Sequence, residues 1–102
     1  MATFRLTRAA EADLLEIAEY TLRTWGEAQC STYLARLEDY CQRLADHTIL
    51  GRPCNNIRPG LRRGEQGKHI VFYRRDGEGI LVLRILHERM LPGLHLDENE
   101  EP

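Results

Sequence analysis

Residues 68–87 read KHIVFYRRDGEGILVLRILH, and this stretch decides the fold. Lys68–Arg74 (KHIVFYR) is rich in β-branched and aromatic residues, which suit a pleated strand. Asp76-Gly77, inside the Arg75–Glu78 turn, tolerates the positive φ values of a tight hairpin. Ile80–His87 (ILVLRILH) is almost continuously apolar, the pattern of a strand covered on both faces. Strict alternation puts Ile80, Val82, Arg84 and Leu86 on one face, and Leu81, Leu83, Ile85 and His87 on the other. Antiparallel pairing of the two runs could bring His69 and His87 together, but two half-exposed strand-end histidines are the expected reading.

Working outward, Leu61–Glu65 reads as a further strand, and His47–Pro59 as a loop because it holds Gly51, Pro53, Asn55, Asn56 and Pro59. Upstream the period changes to that of a helix. Cys30, Tyr33, Leu34, Leu37, Cys41 and Leu44 form one apolar stripe, and Ala10, Leu14, Ile17, Ala18, Thr21 and Trp25 another. Gly26 separates them, so the two helices form an antiparallel hairpin. Thr7 is placed to cap the first helix, with Glu11 and Asp13 near its positive end. Before it, Phe4 and Leu6 alternate with Arg5 in a short strand. The expected fold is α+β, in the order β-α-α-β-β-β, with the helical hairpin packed on a small antiparallel sheet. A hairpin covers one face only, so the second apolar face is expected to be partly open or covered by another chain.

The chain has 102 residues, enough for one domain that buries roughly 65% of its unfolded surface without a structural metal or disulfides. One domain is expected over residues 1–96, followed by an acidic, disordered tail over 97–102 (DENEEP). No apolar run reaches the ~20 residues of a membrane span, and the N-terminus lacks the apolar core of a secretory signal. Three cysteines at unpatterned spacing argue against a disulfide framework and point to a reducing, cytoplasmic compartment. The net charge of -2 hides a segregated distribution. Residues 1–50 carry net -3, residues 51–96 net +5 and the tail net -4. Of 14 basic residues only Lys68 is lysine; arginine forms planar, bidentate contacts to carboxylate or phosphate. Arg52, Arg58, Arg62, Arg63, Arg74, Arg75, Arg84 and Arg89 would suit RNA phosphates or an acidic protein partner, or serve as solvated edge charges. Arg84 sits inside the most apolar strand and therefore needs a carboxylate: Glu88, Glu65 or one from another chain.

Catalytic readings find little purchase. His47, His69, His87 and His95 have no metal-ligand spacing, so no metal and no cofactor are expected. Ser31 lies in a helix with no nucleophile elbow. Cys54 is the one thiol off the apolar stripes, and no base neighbours it in sequence.

The pattern A-x-x-D-L-x-x-I-x-x-Y-T-x-x-x-W-G (Ala10, Asp13, Leu14, Ile17, Tyr20, Thr21, Trp25, Gly26) resembles ParE-type toxins of the RelE/ParE toxin–antitoxin superfamily. So do Tyr33-Leu34, Leu50-Gly51-Arg52, Ile57-Arg58-Pro59-Gly60-Leu61-Arg62, His69-x-x-Phe72-Tyr73 and Arg84-Ile85-Leu86-His87-x-Arg89-Met90. The likeness runs from Phe4 to Leu96. It implies the RelE/ParE fold, inhibition of DNA gyrase with a block to replication, and neutralisation by a ParD-like antitoxin, without enzymatic activity. The RelE branch, ribosome-dependent mRNA endonucleases, is the alternative, with Arg62, Arg84 and His87 as imitators of its site. Against it stand the missing tyrosine after Tyr73 and the acidic tail, which repels RNA phosphates. The segment Arg84–Leu96 is the candidate gyrase-binding element, with Arg84, His87, Arg89 and Met90 as contacts. Candidate antitoxin contacts are Leu14, Ile17, Tyr20, Tyr33, Leu37, Arg74 and Arg84. Neither a membrane nor specific nucleic-acid binding by the toxin alone is expected.

Overall fold

The computed structural model describes residues 2–90 and 92–96; Leu91 and the acidic run 97–102 lie outside the described residues. Strand β1 (Phe4–Leu6) leads into helices α1 (Arg8–Trp25) and α2 (Glu27–Asp46). A 3-10 turn at Thr48–Leu50 follows, then β2 (Arg52–Pro53), β3 (Arg62–Gln66), β4 (His69–Asp76), β5 (Gly79–His87) and a helical turn α3 (Pro92–His95). The strands form one sheet in the order β1-β5-β4-β3-β2. It is mixed rather than antiparallel, because β1 runs parallel to β5. The α-hairpin between them is the crossover that a parallel pair requires.

Local chemistry sets the element ends. Thr7 accepts from the Ala10 N–H at 3.0 Å and caps α1, while its own hydroxyl donates to the Leu83 carbonyl at 2.7 Å. Gly26 links the helices at φ +90°, a value that favours glycine. Gly51 leaves no room for a side chain: a Cβ there would sit 2.3 Å from the Tyr73 hydroxyl. That hydroxyl accepts from the Gly51 N–H at 3.2 Å and donates to the Thr48 carbonyl at 2.7 Å, pinning the loop to the core.

Two apolar layers sandwich the sheet. Ala10, Ile17, Leu37, Cys41, Leu44, Val71, Tyr73, Ile80, Val82 and Ile85 lie between sheet and helices. Leu61, Ile70, Phe72, Leu81, Leu83 and Leu86 lie on the other face. That second face is not left for another chain: Cys54 and Ile57 of the 54–61 loop, and Leu96, pack over it. Strict alternation along β5 also fails. Tyr73 pairs with Val82 but Phe72 with Arg84, so Leu83 is an extra residue in a bulge. Beyond it Ile85 joins the helix-side core and Leu86 the opposite layer. Trp25 is also not a core residue: as the last residue of α1, at the turn into α2, it stands 65% exposed. The buried line of α1 is Ala10, Asp13, Ile17 and Thr21.

Candidate functional site

A groove of about 540 Å³ opens on the helical side. Leu14, Leu15 and Ala18 of α1 form one wall, Leu34, Leu37 and Cys41 of α2 the other, and Phe4, Leu6 and Ile85 of the sheet its floor. Glu11 and Glu38 bring the two carboxylates that line it. Such a slot suits an amphipathic segment with apolar anchors and cationic flanks. Burial pushes the Cys41 thiol up to about 12, with Glu38 adding to the shift, so that sulfur is an inert apolar wall.

The antitoxin candidates divide on this geometry. Leu14 lines the groove half-buried, whereas Leu37 borders it but is a core residue at 1% exposure. Ile17 is core at 7% exposure, and Tyr20 stands exposed on α1. Arg74 pairs with Leu81 and shares its face, the one opposite the helices, so it cannot join the groove contacts.

Arg84 is bound within the chain, and its carboxylate is none of those expected from sequence. Asp13 of α1 accepts from Arg84 Nε and Nη2, both at 2.8 Å, and from the Ile85 N–H at 2.9 Å. Arg84 Nη1 also donates to the His95 carbonyl at 2.6 Å. β1 pairs β5 only at Ile80–Val82, and past that point the open edge of β5 is met by Thr7 and Asp13 instead. Sequence reading placed Asp13 near a helix start and missed this role. Its heptad-like companions Ala10, Ile17 and Thr21 hold the only signal, since they put Asp13 on the buried line.

The other gyrase-contact candidates cluster at the end of β5. The Met90 N–H donates to the His87 carbonyl at 2.9 Å and the Arg89 N–H to His87 Nδ1 at 3.2 Å, which closes a turn. Arg89 and Met90 are exposed on it. Leu94 stands 77% exposed on α3, whereas Leu96 folds back onto the sheet.

His69 and His87 are cross-strand partners with rings edge to face at 5.6 Å. The Tyr33 hydroxyl lies 2.5 Å from His69 Nδ1 and 3.2 Å from the Gln66 carbonyl. Burial, and then the nearby His87, hold the His69 ring below its ordinary value, so it is neutral at physiological pH. Tyr33 is raised by burial and stays protonated. Arg62, the remaining imitator of a ribonuclease site, donates to the Gly51 carbonyl at 2.7 Å. Cys54 is buried, and burial raises its thiol against the opposing pull of Arg63, Arg52 and Arg62. Among the described residues no group of three or more His, Cys, Asp and Glu side chains could hold a metal ion, and no helix is long and apolar enough to cross a membrane.

Comparison with known proteins adds the context. The family model of the ParE toxin of the type II toxin–antitoxin system parDE matches residues 4–92. Toxin ParE1 of Caulobacter vibrioides is 38% identical over 96 residues, 94% of this chain and 99% of that protein. Toxin ParE1 of Mycobacterium tuberculosis is 43% identical over 88 residues, 85% and 90%. Toxin ParE of Escherichia coli is 44% identical over 91 residues, 88% of each. In structure, the chain superposes on the chromosomal ParDE toxin–antitoxin system of P. aeruginosa with a TM-score of 0.72 at 25% identity, covering 85% of this chain and 96% of that one.

Proposed function

This chain belongs to the ParE toxin family of type II toxin–antitoxin systems, and from that premise we propose that it inhibits DNA gyrase, blocks replication and is neutralised by a ParD-like antitoxin in the cytoplasm. The observation that carries the reading is the family match across residues 4–92. The groove supports the antitoxin half of it. Its apolar walls accept the hydrophobic side of a partner helix or strand, and Glu11 and Glu38 select lysine or arginine beside those anchors.

The turn at Arg89 and Met90 supports the target half. It offers a cation, a flexible thioether and the exposed Leu94 on a rigid strand end, a mixture that suits a protein surface. We read the action as binding without catalysis. Arg84 is engaged by Asp13 and by the His95 carbonyl, which takes it from the role of a phosphate clamp. Tyr33, His69 and His87 form the arrangement that favours the alternative, an RNA-cleaving toxin, because they could relay a proton.

Two assays on one protein test the proposal. Supercoiling by purified gyrase is titrated with wild type and Arg89→Ala; inhibition should weaken on the order of tenfold, about 1.4 kcal/mol. Arg89 is exposed and its side chain has no hydrogen bond or ion pair among the described residues, so thermal unfolding should be unchanged within ~0.5 kcal/mol. Translating ribosomes given the same toxin should keep their mRNA intact. Full-strength inhibition by a folded Arg89→Ala protein refutes the role of that turn, and mRNA cleavage lost in His87→Ala moves the protein to the ribonuclease branch.

A further inference from the structure

The groove and the Arg89 turn leave most of the arginines without a role. Their placement is not random. Register puts Arg5 and Arg74 on either side of Leu81, and Arg52 and Arg63 in line with Phe72. Leu81 and Phe72 belong to the layer opposite the helices, so all four arginines share that face. Arg58 sits on the 54–61 loop that covers it. With neighbouring strands ~5 Å apart, these five cations spread over the whole width of the sheet.

Only part of this charge is neutralised. Asp76 bonds Arg5, which holds its carboxyl below the usual value. Glu65 is 2.5 Å from Arg52 and 3.9 Å from Arg63. Arg63 lies over the Phe72 ring, 5.6 Å from its centre, and its buried Nε has no acceptor among the described residues. Arg74 donates to the Arg75 carbonyl, and neither Arg58 nor Arg74 meets a carboxylate among the described residues.

The large exposed hydrophobic residues are Leu15, Tyr20, Leu22 and Trp25 on α1, Ile49 and Leu50 in the 3-10 turn, and Met90 and Leu94 near the C-terminal end. None lies on a strand. The apolar side chains beneath the arginines are sealed: Leu61, Phe72, Leu81 and Leu83 are 1% exposed or less. A protein interface sets arginine beside aromatic and apolar anchors, and among the described residues this face adds only the half-buried Ile57 and Leu96 to its arginines. A field of planar guanidinium groups over a sealed apolar layer fits phosphodiester oxygens, which are bound by charge and bidentate hydrogen bonds. We infer that the face of the sheet opposite the helices binds the phosphodiester backbone of a nucleic acid, without reading its sequence, on the side away from the antitoxin groove.

The test uses the full chain and fluorescence anisotropy. The probes are a labelled duplex DNA of mixed sequence, a single-stranded RNA of equal length and polyglutamate. The carboxylates of 97–102 oppose any polyanion, so the titration starts at low salt. For four phosphate contacts, affinity for duplex should fall roughly a hundredfold between about 50 and 200 mM salt. Arg58→Gln with Arg74→Gln removes two contacts and should cut that salt effect to roughly tenfold while weakening low-salt binding. Arg36→Gln with Arg43→Gln, on exposed positions of α2, changes net charge equally and should leave binding unaltered. The tighter of the DNA and RNA arms names the source of the backbone. The inference is overturned if neither nucleic acid binds at about 50 mM salt, if the α2 pair weakens binding as much as the sheet pair, or if polyglutamate binds as tightly as duplex. Gyrase inhibition is not read in this experiment, so its outcome is separate from that of the proposed toxicity.

Discussion

Replacing Asp13 with alanine should be the most damaging single change on α1. The carboxylate is 7% exposed and carries three hydrogen bonds at once, two from Arg84 and one from the Ile85 N–H. Its removal takes two hydrogen bonds from a guanidinium whose side chain is 19% exposed, and one from the Ile85 N–H. Breaking a buried pair by deleting one member costs about 3–5 kcal/mol. Residual hydration of Arg84 and its surviving bond to the His95 carbonyl reduce this to roughly 2–4 kcal/mol. A domain of this size has only about 5–15 kcal/mol of stability, and each kcal/mol moves the melting temperature by about 4–8 °C. Asp13→Ala should therefore lower Tm by roughly 10–30 °C. Asp13→Asn keeps an acceptor and should lose less, and Asp13→Leu with Arg84→Met should recover part of the loss because no buried charge remains. Urea unfolding of the four proteins, analysed as two-state, measures all of this. A loss below ~1 kcal/mol for Asp13→Ala would show that the pair is solvated in practice and that the reasoning from burial is wrong.

Two further outcomes follow from buried polar groups. Tyr73→Phe leaves the Gly51 N–H and Thr48 carbonyl without their partner in the core and should cost about 1–3 kcal/mol, read as a lower urea midpoint at unchanged m-value; a neutral change would mean water replaces the hydroxyl. His69 has a lowered folded-state value, so the unfolded chain binds its proton more readily, and stability is complete above about pH 6.5 and falls as pH drops through that value toward the folded one. His69→Gln should flatten that part of the stability curve, and identical pH dependence in variant and wild type would contradict it.

Much of this fold was legible because it depends on local period. The two strong strands, the Thr7 cap and the Gly26 break each carry their signal in a few adjacent residues and stand where expected, while the hairpin loop falls one residue past Asp76, at Gly77-Glu78 with Gly77 at φ +65°. The meeting of His69 and His87 was legible only in part, since simple hairpin pairing sets His69 opposite Leu86 and the bulge supplies the extra residue. Long-range satisfaction was not legible. Nothing near Arg84 in sequence names Asp13, 71 residues away, as its carboxylate. Parallel pairing of β1 with β5 is equally silent, since three residues hold no mark of direction. The covered second face was misjudged because loop 54–61 reads as polar and turn-rich, while Cys54, Ile57 and Leu61 within it are enough to close a layer. Of the candidate antitoxin contacts, Leu14 stands half-buried on the groove, whereas Leu37 and Ile17 obey the same helical spacing and face the core. Periodicity marks an apolar stripe and cannot tell a groove wall from a packed interior.

The bulge at Leu83 ties these points together. From the turn to Tyr73 and Val82 the hairpin keeps one register, and from Phe72 and Arg84 onward it keeps another, displaced by one residue. Had the first register continued, His69 would face Leu86, and His87 would lie beyond the end of the pairing. The inserted residue puts His87 opposite His69, next to Tyr33, and sends Ile85 into the helix-side core at the floor of the groove. It also comes where β1 has ended, so the displaced backbone of β5 meets side chains: Leu83 offers its carbonyl to Thr7 and Ile85 its N–H to Asp13. A bulge leaves ladder groups without strand partners and re-aims the side chains after it. Here the freed groups are satisfied by the first turns of α1, and the re-aimed Arg84 joins α1 to α3. One residue in the strongest strand thus sets the groove floor, the buried ion pair and the position of the Arg89 turn, which is why alternation, right for the first half of β5, misplaces the residues nearest the site.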